Sequence, residues 1–92
     1  MKRRLLDILA CPMCRHYPLD LFAFREGDEI DEGAIVCSNC KRWYPIIEAI
    51  PHMLPDELRK ADEDLSFMER WKEKLPKEIV EKGKPFNLVM EK

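Results

Sequence analysis

The stretch LDLFAFR (19–25) alternates: Leu19, Leu21 and Ala23 fall on one side, Asp20, Phe22 and Phe24 on the other. Period two predicts a strand, and aromatic residues on the second side predict that both of its faces are covered. REGDEIDEG (25–33), with two Gly and five acids, reads as a hairpin loop. AIVC (34–37) returns as a second strand and RWYPII (42–47) forms a third, with Pro45 placing it at an edge or interrupting it. EAIPHMLP (48–55) runs extended, because Pro51 and Pro55 each disfavour helix at the residue before them. Upstream, Leu5, Leu6, Ile8 and Leu9 make the apolar face of a short helix or turn, which Pro12 ends.

From Asp56 the period changes. Leu58, Ala61, Leu65, Met68 and Leu75 recur at three, four or seven residues with charges between, and Phe67 and Trp71 widen that side. This predicts an amphipathic helix. Pro76 suits the first position of a second helix, Gly83 its end, and Pro85 the residues beyond it. The last residues, FNLVMEK, are apolar enough to dock or pair.

The length, 92 residues, allows one domain with an appendage. Domains of this size often need a staple. The net charge of −2 argues against a chain built to neutralise phosphates. The charges are unevenly placed, however. Lys2, Arg3, Arg4 and Arg15 lie near residues 11–14, Lys41 and Arg42 follow residues 37–40, and an acidic run (Glu26 to Glu32) lies between. Arg3, Arg4, Arg15, Lys41 and Arg42 are therefore candidates for RNA contact, against the plainer reading of a solvated surface. No apolar run approaches the ~20 residues of a membrane span. LLDILA (5–10) is broken by Asp7 and too short for a secretory core. A cytoplasmic protein that enters no membrane is expected.

All four cysteines sit in two pairs, CPMC (11–14) and CSNC (37–40). Two such turns can bring Cys11, Cys14, Cys37 and Cys40 into a tetrahedral S₄ cage, which suits Zn²⁺. The intervening 15–36 accommodates one hairpin, which is the zinc-ribbon layout. Iron in the same cage would imply a rubredoxin-like electron carrier. A thioredoxin-like role lacks its βαβ surroundings, and two disulfides suit a secreted protein better. A closed Cys₄ zinc has no open position for substrate, so its role is folding energy. His16 and His52 read as surface or structural residues, Glu48 as a lone carboxylate, and no catalytic residues are assigned. The fold class is small α+β: a zinc-ribbon-like three-stranded antiparallel sheet with a short N-terminal helix and a C-terminal helical extension. The core spans 1–55 and the extension 56–92.

WYPIIEAIPHML (43–54) carries more large apolar residues than a three-stranded ribbon can bury. Either the C-terminal helix packs over them, using Leu58, Leu65, Met68 and Trp71, or they face a partner. An edge strand there can extend another protein's sheet.

The order of motifs resembles one family. RLLDILACPMC, a hairpin, then IVCSNCKRWYPIIEAIPHMLPDE is similar to the small zinc-ribbon methyltransferase activators. These are the shared non-catalytic subunit of tRNA, rRNA and release-factor methyltransferases in archaea and eukaryotes, with short bacterial relatives. The likeness covers about residues 1–56. It implies a heterodimer with an S-adenosylmethionine-dependent methyltransferase, an apolar contact surface and backbone pairing to the enzyme's sheet. By position it implies a zinc cage at the four cysteines. It places the contact at Ile46, Ile47, Ile50, Pro51, Met53 and Leu54, with Leu5 and Leu6 beside it. RNA is then met only through the complex. Larger eukaryotic members carry a helical insertion between the knuckles; here helices follow the core instead, where they either cover the contact stretch or extend it. The rival reading is a nucleic-acid-binding ribbon that stacks bases on Trp43 or Tyr44.

Overall fold

A computed structural model describes residues 1–17, 19–84 and 86–88. The alternating stretch forms β1 (Asp20–Glu26), antiparallel to β2 (Ile30–Val36). β3 (Trp43–Ile47) pairs antiparallel with β2, and a short β4 (Ile50–Pro51) pairs with β3, in the order β1-β2-β3-β4. The first hairpin loop is tighter than its composition predicts. The strands run on to Glu26 and resume at Ile30, because Ile30 is an anchor, fully buried. The β1–β2 register shifts around Arg25, and nearby Gly33 lets the strands approach closely. A Cβ on Gly33 would stand 2.6 Å from the Phe22 carbonyl oxygen.

The fourth strand is an addition to the predicted three. Glu48 and Ala49 both take left-handed φ, 51° and 64°, and turn the chain back in two residues. Asn and Gly are the usual residues there, so sequence preference gave no sign of it. Pro45 lies inside the sheet rather than at its edge. Its carbonyl accepts the His52 amide at 2.9 Å, which faces it toward β4. A strand residue's nitrogen and carbonyl point the same way, so the missing N–H costs the β2–β3 ladder nothing.

Both faces of the sheet are covered, by different parts of the chain. On the first face, Leu19, Ile30, Ile35, Tyr44 and Ile46 pack with Cys11, Cys37 and Met1, and with Leu5, Leu6 and Leu9. These leucines come from a short 3-10 helix and its exit (Arg3–Ile8). Ile8, expected on the same apolar face, points away and is 77% exposed. On the second face, Ala34, Val36 and Trp43 pack with Phe67, Met68, Leu75 and Ile79. Phe24 stacks on Trp71 at 4.9 Å, and Trp43 on Phe67 at 6.0 Å.

The helical extension starts later than its periodicity predicts. Asp56–Leu58 is one 3-10 turn, Arg59 and Lys60 are extended, and α1 runs Ala61–Trp71. The buried side of α1 carries Asp64, Phe67 and Met68, while Leu58 and Ala61 are exposed. The cause is Arg59. Its guanidinium donates to the Trp43 carbonyl at 2.8 Å, meets Asp64 at 2.7 Å and lies over the rings of Trp43 and Tyr44. Reaching inward pulls its backbone out of the helix. Such a buried pair orients the extension more than it stabilises it. Glu32 adds a second polar tie, with Arg25 and Arg70 both at 3.3 Å and the Trp71 indole N–H at 3.3 Å.

α2 (Lys77–Lys82) follows Pro76, which stands at the cap position, and ends at Gly83. Gly83 does not adopt a left-handed conformation. A Cβ there would collide with the Ile79 carbonyl and come within 3.0 Å of Trp43 Cδ1. Gly83→Ala should therefore lower stability by about 1–3 kcal/mol through overpacking, read as a shifted urea midpoint. Beyond it, Lys84 bridges to Arg42, and the Phe86 carbonyl accepts the Trp43 indole N–H at 2.9 Å. The remainder of FNLVMEK, residues 89–92, lies outside the described residues. Among the described residues no helix is long and apolar enough to cross a membrane.

Candidate metal centre and partner surface

The two cysteine turns have the same local build. Arg15 N–H donates to Cys11 O at 2.8 Å, and Lys41 N–H to Cys37 O at 2.9 Å. Cys11 N–H reaches His16 O at 3.0 Å, and Cys37 N–H reaches Arg42 O at 2.8 Å. Arg15 and Lys41 both adopt left-handed φ, 65° and 64°, which curls each turn around its thiols. The four sulfurs lie within 4.8 Å of one another, with Cys14–Cys37 at 3.5 Å and Cys11–Cys40 at 3.6 Å. Tetrahedral Zn–S bonds of about 2.3 Å put ligand sulfurs roughly 3.8 Å apart, so the cluster fits a metal with little adjustment. Four soft sulfurs suit zinc or iron and leave no position open for substrate.

The surroundings favour thiolates at Cys11 and Cys14. Asn39 Nδ2 lies 3.5 Å from Cys14 Sγ and holds that thiol low, at about 6. At Cys11 burial opposes ionisation, but hydrogen bonds from Tyr44 and the backbone outweigh it and lower the thiol. The Tyr44 hydroxyl lies 3.2 Å from Cys11 Sγ. Cys37 is the exception, pushed up to about 12 by burial. Arg42 lies close enough to Cys40 that its pKa is raised first by Asp56 and then by Cys40. Four thiolates around a divalent ion keep a net negative charge, and the cations beside them offset it.

The basic candidates are mostly committed within the chain. Arg3 pairs with Glu26 at 2.7 Å, Lys41 with Glu78 at 2.7 Å, and Arg42 holds Asp56 in a two-pronged bond at 2.9 and 2.6 Å. Arg15 is exposed in its turn, and Arg4 is exposed on the first 3-10 helix. Trp43 and Tyr44 are fully buried, so the expectation that either stacks on a base in this conformation is corrected: both rings are core.

The apolar stretch divides by face. Ile46 is fully buried in the first cluster and offers no surface to a partner, which corrects its placement among contact residues. Ile47 packs against the C-terminal helices. Met53 lies partly buried on the first cluster, as do Leu5 and Leu6. Ile50 is 59% exposed, Leu54 is 37% exposed, and Pro51 is half-buried between them. The tail thus covers one side of the stretch and leaves the β4 side open. A groove of about 540 Å³ borders β4, with Leu5, Ile8, Ala49 and Pro51 among its walls. His16 offers its carbonyl to the first turn and its backbone amide helps lower the Cys14 thiol, and His52 lines a second groove with Arg59. Glu48 is an exposed turn residue. Sequence reasoning missed the roles of Arg59, Asp56 and Glu32; Arg59 was a base within an apolar period, and Glu32 one of five acids in a loop-like run.

The comparisons agree with this geometry. Residues 2–48 match the Trm112p-like protein family model. A UPF0434 protein of Methylobacillus flagellatus is 37% identical over 70 residues, covering 71% of this chain and 98% of that protein. A UPF0434 protein of Coxiella burnetii is 42% identical over 59 residues, covering 64% and 91%. Among solved structures, this chain is similar to one in the complex between the Haloferax volcanii Trm112 methyltransferase activator and a candidate methyltransferase. The two are 40% identical with a TM-score of 0.57, over 64% of this chain and 100% of that one. With more than half of its length matched by the family model, the chain belongs to the Trm112p-like family.

Proposed function

We propose that this protein is a non-catalytic subunit that binds and activates an S-adenosylmethionine-dependent methyltransferase acting on tRNA, rRNA or a translation factor, in the cytoplasm. The observation that carries this is the likeness, at 40% identity, to a chain in a complex of a methyltransferase activator. The site supports it. Four cysteines drawn into a closed cage suit structural zinc, and a closed cage binds no substrate. β4 is an edge strand with exposed Ile50, and its Pro51 lies on an apolar groove, as a partner's sheet would need. Residues 1–55 act as the ribbon core and 56–92 as an extension that covers the opposite face. RNA is reached only through the enzyme.

The test is recovery of the tagged chain from its native cells under gentle conditions. A methyltransferase catalytic subunit should travel with it, and its absence would sink the proposal. Ile50→Asp should then weaken the purified pair by roughly 100-fold, a buried-anchor effect, while metal content and melting stay unchanged. Loss of folding would instead make Ile50 a core residue.

A further inference from the structure

Lys2 and Arg4 are exposed and, among the described residues, make no ion pair or side-chain hydrogen bond. Both border the groove walled by Leu5, Ile8, Ala49 and Pro51. Their neighbour Arg3 is taken by Glu26. The one acid on the groove, Glu29, stands 3.7 Å from the Met1 nitrogen, which is buried and donates to the carbonyls of Ile30 and Ala49 at 3.0 and 2.6 Å. Glu29 is thus paired within the chain, and among the described residues no acid pairs with Lys2 or Arg4. Ile8, the most exposed large apolar residue named in the fold, lies at the same opening.

We infer that Lys2 and Arg4 select the partner: the groove receives an apolar side chain of the methyltransferase, flanked by a carboxylate that pairs with these two cations. The inference rests on the methyltransferase reading and adds the chemistry of the partner's contact segment. Charge complementarity at the rim of an apolar contact steers encounter and rejects partners of the wrong sign. A nucleic acid would instead need a run of free cations with exposed aromatic rings. Here Arg3, Lys41 and Arg42 are paired, Trp43 and Tyr44 are buried, and the exposed Arg15 and Tyr17 do not line this groove.

The test uses the full chain and the catalytic subunit recovered with it. Binding is measured for the original chain, for Lys2→Ala/Arg4→Ala, and for Arg4→Glu, each across a salt series. The double variant should bind about 10-fold more weakly at low salt and with a flatter salt dependence, and Arg4→Glu more weakly still. Melting should not move, since both side chains are exposed. Unchanged binding by these variants, with Ile50→Asp still disruptive, would overturn the charge selection and leave the methyltransferase reading standing. Unchanged binding by all of them, Ile50→Asp included, would overturn the contact surface itself. If the free chain binds a single-stranded RNA probe and the double variant loses that binding while holding the enzyme normally, the cations serve RNA and the inference fails.

Discussion

Cys37→Ser should abolish stoichiometric metal binding and with it the cooperative unfolding of the chain. Cys37 is fully buried at the end of β2, and its backbone pairs with Arg42 at the start of the next strand. Through the sulfur cluster it joins Cys11 and Cys14, and so ties the N-terminal segment to the sheet. The first-face core, with Met1, Leu5, Leu6 and Leu9, depends on that tie. Structural zinc contributes about 10–16 kcal/mol in small domains, as much as or more than the roughly 5–15 kcal/mol that separates folded from unfolded states. Elemental analysis of the purified variant should give no bound metal, and near-ultraviolet circular dichroism should lose the tyrosine and tryptophan signals. Zinc should be the element found in the unaltered chain, as a colourless protein; a coloured iron protein would replace the structural reading with a redox one. A Cys37→Ser variant that melts like the original would mean the cage is dispensable.

Trp43→Ala should cost about 3–5 kcal/mol, the range for truncating a buried aromatic ring. Trp43 is where the extension meets the sheet. Its ring stacks on Phe67 at 6.0 Å and lies under the Arg59 guanidinium at 5.2 Å, and its indole N–H bonds the Phe86 carbonyl at 2.9 Å. Its own carbonyl accepts from Arg59. One truncation therefore opens a cavity and strands the Phe86 carbonyl, and a buried unpaired group adds about 1–3 kcal/mol to the cost. Urea unfolding measures the loss. Trp43→Phe should recover part of it, since a ring remains but the indole bond does not. A loss under about 1 kcal/mol would mean that the extension does not depend on this packing, and that Trp43 is free for another role.

The sulfur cluster was legible because its chemistry is local. Each turn spans a few residues, and two turns of one kind announce one cage. The two-faced sheet was legible too. Phe22 and Phe24 opposite Leu21 and Ala23 leave no side for water, and the helices duly cover the aromatic side. β4 was not legible, because its turn uses Glu48 and Ala49 in a conformation that neither residue advertises. The start of α1 was misplaced for a related reason. Leu58 and Ala61 fit the helical period, but period records only where apolar residues recur, and Arg59 is drawn inward by groups far away in sequence.

The sequence by itself determined the first three strands, the cage and the family, because those rest on spacing between near neighbours. Only the tertiary structure decided which residues remain for a partner. WYPIIEAIPHML reads as one apolar surface along the chain, yet Trp43, Tyr44 and Ile46 are consumed by the core while Ile50 and Leu54 stay outside. Likewise, six cations near the cysteines look alike in a string of letters, yet three are paired with acids from other elements and, among the described residues, Lys2, Arg4 and Arg15 are not. Burial and charge pairing are properties of what folds back from a distance, and that information exists only once the chain has closed on itself.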